Sequence, residues 1–172
     1  MTIDKPSITK DNWIYFPDKE IPFGRVAEMR NFSREMSPPG KTSLFVEFFV
    51  SENDEIWNMT KEEIFELAMK NFEKLGLLKK QDVRNYYLLK RKNVYPVYDL
   101  HYKENLKIVK NYLNGFENLF YIGRPGRFTY TNQDHSLEMG ILTAKSIVEK
   151  RHLDLESVGA EKEYFEQGNI KA

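Results

Sequence analysis

Leu119-Phe-Tyr-Ile-Gly123-Arg124-Pro-Gly126-Arg127-Phe-Thr-Tyr130-Thr-Asn132-Gln133-Asp134-His135-Ser-Leu-Glu-Met-Gly140 is the stretch on which the reading of this chain turns. Leu119 to Ile122 is a short apolar run and reads as a strand. Gly123 at its end permits a ligand to approach the backbone closely. A loop follows to Asp134, and a helix is predicted from about Ser136 to Lys150, capped by Asp134 or Ser136. The exposed amides of its first turn, at the positive end of the helix dipole, suit a carbonyl oxygen or an anion. Gly140 and Ala144, four residues apart on one side, permit close packing against a flat partner or a sheet. Arg124 and Arg127 add donors suited to phosphate. The spacing alone fits a cofactor-facing helix and an ordinary capped surface helix equally.

Upstream, the pattern alternates. Trp13 to Phe16 reads as a strand stopped by Pro17, and Arg25 to Asn31 as a second. Pro38-Pro39-Gly40 marks a loop within Ser33 to Gly40. Thr42 to Val50 is the clearest strand, with Leu44, Val46, Phe48 and Val50 on one face and Phe45, Glu47 and Phe49 on the other. Two apolar faces predict burial on both sides and require a partner for Glu47. Thr60 to Leu75 is a helix: Thr60 and Glu63 match a capping box, Met59 and Ile64 suit a hydrophobic staple, and Gly76 is the stop. Tyr86 to Lys90 reads as strand, and Val94 to Asp99, interrupted by Pro96, as extended chain outside a central sheet. Tyr102 to Asn114 is a helix with Leu106, Val109 and Leu113 inward and Gly115 at its end. The residues after Arg151 form a polar tail. Strands that neighbour one another and also alternate with helices predict an α+β (or α/β) arrangement with a mixed sheet.

Composition narrows the chemistry. The chain has 172 residues, 26 basic and 26 acidic, so it carries no bulk charge to attract nucleic acid or an anionic membrane. It has no cysteine, which excludes disulfides and thiolate metal sites, and its three histidines, His101, His135 and His152, lack metal-ligand spacing. No apolar run is long enough to span a bilayer, and Met1 to Lys5 does not open a signal peptide. The expected compartment is the cytoplasm.

The quoted stretch resembles the C-terminal signature of FAD-dependent amine-oxidase-like flavoproteins, the superfamily that includes protoporphyrinogen oxidase and phytoene desaturase. It is most similar to the branch near UDP-galactopyranose mutase, where Gly-Arg, an aromatic, Asn-Gln-Asp or Asn-Met-Asp, and a helix come in this order. Trp13-Ile-Tyr-Phe-Pro17, Gly24-Arg25, Asn31-Phe-Ser33 and Tyr95-Pro-Val-Tyr-Asp99 also look like that branch, so the resemblance reaches to about Lys150. It implies that residues 1–115 belong to a substrate domain, that 116–150 supply the closing strand and helix of a FAD domain, and that 151–172 are a tail. It implies that Gly123 and Arg124 lie by the flavin's ribityl or phosphate portion. Asn132, Gln133 and Asp134 would then offer backbone amides to the pyrimidine edge of the ring, and Tyr95, Tyr98, Arg127 and Tyr130 would approach the substrate.

Two departures qualify this. Arg124 stands where many amine-oxidase relatives place an acidic residue, which points to the mutase-like branch. No G-x-G-x-x-G is present, so the turn that holds the FAD pyrophosphate is missing. The expectation is the incomplete C-terminal part of a two-domain flavoprotein: a fragment, a split-gene product or a truncated form. Its N-terminal nucleotide-binding half would be supplied in cis or in trans. The activity implied is that of a FAD-dependent oxidoreductase on a small molecule. The alternatives are a mutase-like isomerase and a non-catalytic module that completes a separate FAD-binding chain. The chain alone would be inactive and bind FAD weakly or not at all. An apolar face left uncovered near Leu119 to Ile122 and the last helix would permit self-association.

Other residues have plainer readings. Arg25, Arg30 and Arg34, and the lysines around 79–80 and 90–92, suit a solvated surface. His135 is read as a first-turn histidine before a flavin-side acid or base, and Asp99 as a helix cap.

Overall fold

The computed structural model describes residues 1–151 and 154–158, so most of the expected tail lies outside the described residues. The chain divides into two compact units, residues 1–90 and 91–172. Each is described by itself.

The first unit is a five-stranded sheet with a helix. The strands are β1 (Thr2–Ile3), β2 (Trp13–Tyr15), β3 (Arg25–Glu28), β4 (Thr42–Glu47) and β5 (Val83–Asn85), in spatial order β2-β3-β4-β1-β5. Every pairing is antiparallel, where a mixed sheet was expected. A short helix, α1 (Met29–Phe32), ends the strand expected to run to Asn31, and a 3-10 turn at Arg34–Met36 shapes the loop before Gly40. A further short helix, α2 (Glu55–Asn58), precedes the long one, α3 (Lys61–Lys74).

Helix α3 forms as its sequence dictates. The Thr60 hydroxyl accepts from the Glu63 amide at 3.2 Å, and the Glu63 carboxylate accepts from the Thr60 amide at 2.8 Å. Gly76 turns the chain at a positive φ of 68°, where a side chain would be strained. Phe65, Ala68, Met69 and Phe72 then point from one face of α3 to the sheet. With Ile3, Phe23, Val26, Leu44 and Leu78 they make the buried core. Phe23 and Phe72 stack at 4.8 Å between centroids.

Alternation along β3 and β4 sends Val26, Glu28, Thr42 and Leu44 inward. Glu28 is wholly buried. Its carboxylate accepts from the amides of Ile8 (3.0 Å) and Thr9 (2.7 Å) and from the Thr42 hydroxyl (2.7 Å), so the charge is met by three donors. The opposite face corrects the sequence reading. Phe45 and Phe49 are 52% and 55% exposed, so the strand is not covered on both sides. Trp13, Ala27 and Phe45 stand side by side across β2, β3 and β4, and Trp13 stacks on Phe32 at 5.6 Å. Glu47 has the partner it required, the forked guanidinium of Arg25, which also reaches Tyr15. The Glu47 hydrogen bonds hold Arg25 above its ordinary value.

Tyr86 to Lys90 is not a strand. Pairing stops with β5 at Asn85, and Tyr86 leaves to stack on Phe65 at 3.8 Å. The segment 94–99 is non-sheet chain, as Pro96 dictates.

The second unit is helical: α4 (Tyr102–Leu113), α5 (Gly123–Arg127) and α6 (Gln133–Glu149). The expected strand Leu119–Ile122 does not form; Leu119 and Phe120 are exposed and pair with no strand. Leu106 and Leu113 of α4 are half-buried, whereas Val109, expected inward, is exposed. Helix α6 starts at Gln133, three residues before the expected start, because Asn132 is its cap rather than Asp134 or Ser136. It buries His135, Met139 and Thr143 and leaves Leu137, Ile141, Ala144 and Val148 outward at spacings of 4, 3 and 4. Those four make one apolar stripe.

Candidate functional site

The sequence-selected residues gather at the start of α6. Asn132 and His135 cap each other, and the Asn132 amide donates to His135 Nδ1 at 3.1 Å. His135 is buried, and its Nδ1 serves as the acceptor of this cap. Because the Asn132 amide is committed to this cap, the outward donors of the first turn are those of Gln133 and Asp134.

Gly123 sits against the next turn. Its φ is +71°, which is why glycine is needed, and its amide lies 3.3 Å from Met139 Sδ. A Cβ there would meet Ser136 at only 3.7 Å, an ordinary contact, so conformation and not crowding selects the glycine. Gly126 is the tighter position: a Cβ would come within 3.2 Å of the Tyr121 backbone carbon.

Arg124 leaves α5 and donates through Nε to the Thr131 carbonyl at 2.8 Å, with Nη2 on the same oxygen. Its guanidinium lies 5.0 Å from the Tyr95 ring centroid and 4.7 Å from that of Tyr130. Those rings stack on each other at 5.6 Å. Tyr98 joins them by accepting from the Tyr130 amide at 2.7 Å. Tyr95, Tyr98, Tyr130 and Arg124 thus form one cluster leading into α6. A cation held on a carbonyl and flanked by phenol rings provides charge, donors and flat surfaces in one place.

Arg127 stands apart from that cluster. It is buried, ion-paired to Glu156 and set 4.9 Å from the Tyr121 ring. Glu156 also receives Lys110 at 3.0 Å. Burial first, and then the Arg127 guanidinium, push the Lys110 ammonium below the usual lysine range. Glu156 is the counter-charge that keeps the two cations together.

Sequence reasoning did not reach Thr131, whose carbonyl anchors Arg124. Its hydroxyl is buried without a hydrogen-bond partner among the described residues. A carbonyl's role leaves no mark on side-chain chemistry. Glu156 was equally hidden, since it meets Arg127 from 29 residues away. Among the described residues there is no acid–histidine cluster suited to a metal, and no helix long and apolar enough to cross a membrane.

No protein-family model matches the chain. No curated protein matches it either. Solved structures do: a crystal structure of reduced UDP-galactopyranose mutase superposes with a TM-score of 0.71 at 21% identity, over 91% of this chain. At that identity the likeness is one of fold. The chain corresponds to 34% of that protein's length, about a third.

Proposed function

We propose that this chain is the C-terminal part of a FAD-dependent flavoprotein built like UDP-galactopyranose mutase. The observation that carries the reading is the match of nine-tenths of this chain to one third of that flavoprotein. In this reading residues 1–115 contribute the substrate-side segment, residues 116–150 close the FAD domain, and 151–172 form the tail. A nucleotide-binding half, in cis or in trans, carries the pyrophosphate turn that this sequence lacks. The mutase-like reaction, an isomerisation on a sugar nucleotide, is favoured over amine-oxidase-like chemistry, because Arg124 replaces the acidic residue and the structural likeness is to the mutase.

The residues present fit one edge of a flavin. Gln133 and Asp134 supply first-turn amides, and the Thr131 hydroxyl is a buried polar group lacking a protein partner among the described residues. Asn132 keeps its place as the cap that aims those amides. Gly123 gives the chain its left-handed turn into α5, and Arg124 brings positive charge beside it. When bound, the flavin supplies a ring that accepts and returns electron density. The amides of Gln133 and Asp134 would hold its pyrimidine edge and stabilise negative charge there. Tyr95, Tyr98 and Tyr130, with Arg124, face the substrate with flat surfaces and a cation. Arg127, committed to Glu156, holds the unit together from the side.

The isolated chain lacks the affinity to keep FAD. Each hydrogen bond contributes about 0.5–1.5 kcal/mol net, against an association cost of roughly 4 kcal/mol or more. Flavin absorbance and fluorescence titration test this. The chain alone should be colourless; joined to its nucleotide-binding half it should become yellow and bind FAD stoichiometrically. In the joined protein, Arg124→Ala should weaken FAD or shift its reduction potential. UDP-galactopyranose should turn over only with reduced flavin. Tight, stoichiometric FAD on the isolated chain, or none after joining, overturns the reading.

A further inference from the structure

An open groove of about 430 Å³ runs along the surface of the second unit, lined by the rings of Tyr98, Tyr102 and Phe128 and by Lys103, Lys107 and Lys110 of α4. None of the flavin-edge residues 132–134 takes part in its lining. Its volume falls among those of small-molecule sites, which run from about 300 to 1,000 Å³. The three lysines recur at spacings of 4 and 3 and so share one helix face. They cover about 10 Å of the helix axis.

A lysine-lined helix face is ordinarily just a solvated surface. Two observations separate this one from that reading. The first is the aromatic lining: Tyr98 packs on Tyr102 at 4.5 Å and meets Phe128 edge-on at 6.0 Å, so three rings are fixed in place beside the lysines. Phe128 is held there by a left-handed backbone at φ +51°, a conformation that a bulky residue adopts only when its surroundings impose it. The second is an oxyanion already in position. Lys110 Nζ lies 3.0 and 3.2 Å from the two carboxylate oxygens of Glu156, which Arg127 also grips. Lys103 and Lys107 carry no ion pair among the described residues, so no described carboxylate neutralises their charge.

We infer that this groove binds a phosphorylated planar ring of nucleoside-monophosphate size, its phosphate met by Lys103 and Lys107 and its ring by the Tyr98–Tyr102–Phe128 wall. Lysine meets phosphate as a mobile point charge, which suits an open groove. Aromatic side chains accept any flat base, because every base has a π-face. Phosphate without a ring leaves the wall unused, and a ring without phosphate leaves two cations unmatched. The site needs no flavin; it shares Tyr98 with the substrate-facing cluster proposed above, and Lys103, Lys107 and Tyr102, which lie outside that cluster, are the residues that keep the two readings distinguishable.

The test uses the full chain and calorimetric titration with adenosine 5′-monophosphate, adenosine and inorganic phosphate. The nucleotide should bind at least about tenfold more tightly than either part. Lys103→Gln with Lys107→Gln alters two exposed side chains, so the fold should persist by circular dichroism. That double variant should weaken the nucleotide by about tenfold or more. Tyr102→Leu is the second variant and should weaken the nucleotide while leaving inorganic phosphate unchanged. Absence of nucleotide binding overturns the inference. So does binding that the lysine pair leaves unchanged, or inorganic phosphate binding as tightly as the nucleotide.

Discussion

In the sheet unit, Phe23 and Phe72 lie stacked with no exposed surface, surrounded by seven other buried apolar residues. In the helical unit, Met139 and Val158 are the buried apolar residues among those described, while Leu137, Ile141 and Val148 of α6 look outward with Leu119, Phe120, Ile108 and Tyr112. The two halves have similar lengths and similar shares of apolar side chains, and both leave large apolar side chains exposed, yet among the described residues only the first gathers a buried apolar cluster of nine. Among the described residues the sheet unit thus carries most of the buried apolar core and the helical unit little of it. The chain as a whole corresponds in fold to about a third of the length of the mutase structure it superposes on.

The sharpest way to break this contrast is to remove Phe72, which α3 buries completely. Phe72→Ala should cost about 3–5 kcal/mol, read as a lower midpoint of urea unfolding by tryptophan fluorescence. Next in size is Glu28→Ala. It leaves the Ile8 and Thr9 amides and the Thr42 hydroxyl without their acceptor, and should cost about 3 kcal/mol in the same assay. Thr60→Ala removes the cap of α3 and should cost about 1 kcal/mol.

The same cap gives a pH signature. The Thr60 amide, and then its hydroxyl, hold the Glu63 carboxyl below its ordinary value of 4.5. A depressed folded value means that the contribution is fully present above the ordinary value and is lost as pH falls through the folded one. Stability should therefore decline below about pH 4.5 through this residue, and Thr60→Ala should flatten that part of the profile. Smallest of all should be Ile141→Ala on the open stripe of α6, within about 0.5 kcal/mol by urea unfolding. That variant should nonetheless reduce binding of a hydrophobic dye. If it costs as much as Phe72→Ala, the helical unit has a closed core and the contrast fails.

What was legible in the sequence was local. Thr60, Glu63 and Gly76 bound α3 because caps and stops act over a few residues, and the need of Glu47 for a partner was readable from its apolar neighbours, though the burial on both sides that suggested it is not there. The misreadings concern pairing at a distance. Leu119 to Ile122 has the composition of a strand but no strand lies beside it, and composition carries no record of a neighbour. Val83 to Asn85 was passed over for the more apolar Tyr86 to Lys90, because β5 is fixed by Thr2 and Ile3, some eighty residues away. At the site, the cluster of Arg124 with Tyr95 and Tyr130 was assembled from residues already singled out. Its anchor on the Thr131 carbonyl was not visible, and neither was the use of Asn132 and His135 as a mutual cap.

Strand β1 is only two residues long, yet it lies between β4 and β5 and joins them. It acts as a seam. Peeling away Thr2 and Ile3 would release β5 and turn β4 into an edge, with the unpaired amides and carbonyls that recruit strands from other molecules. Damage to the first few residues would therefore show itself twice, as lost folding energy because Ile3 belongs to the core, and as polymerisation through the exposed edge.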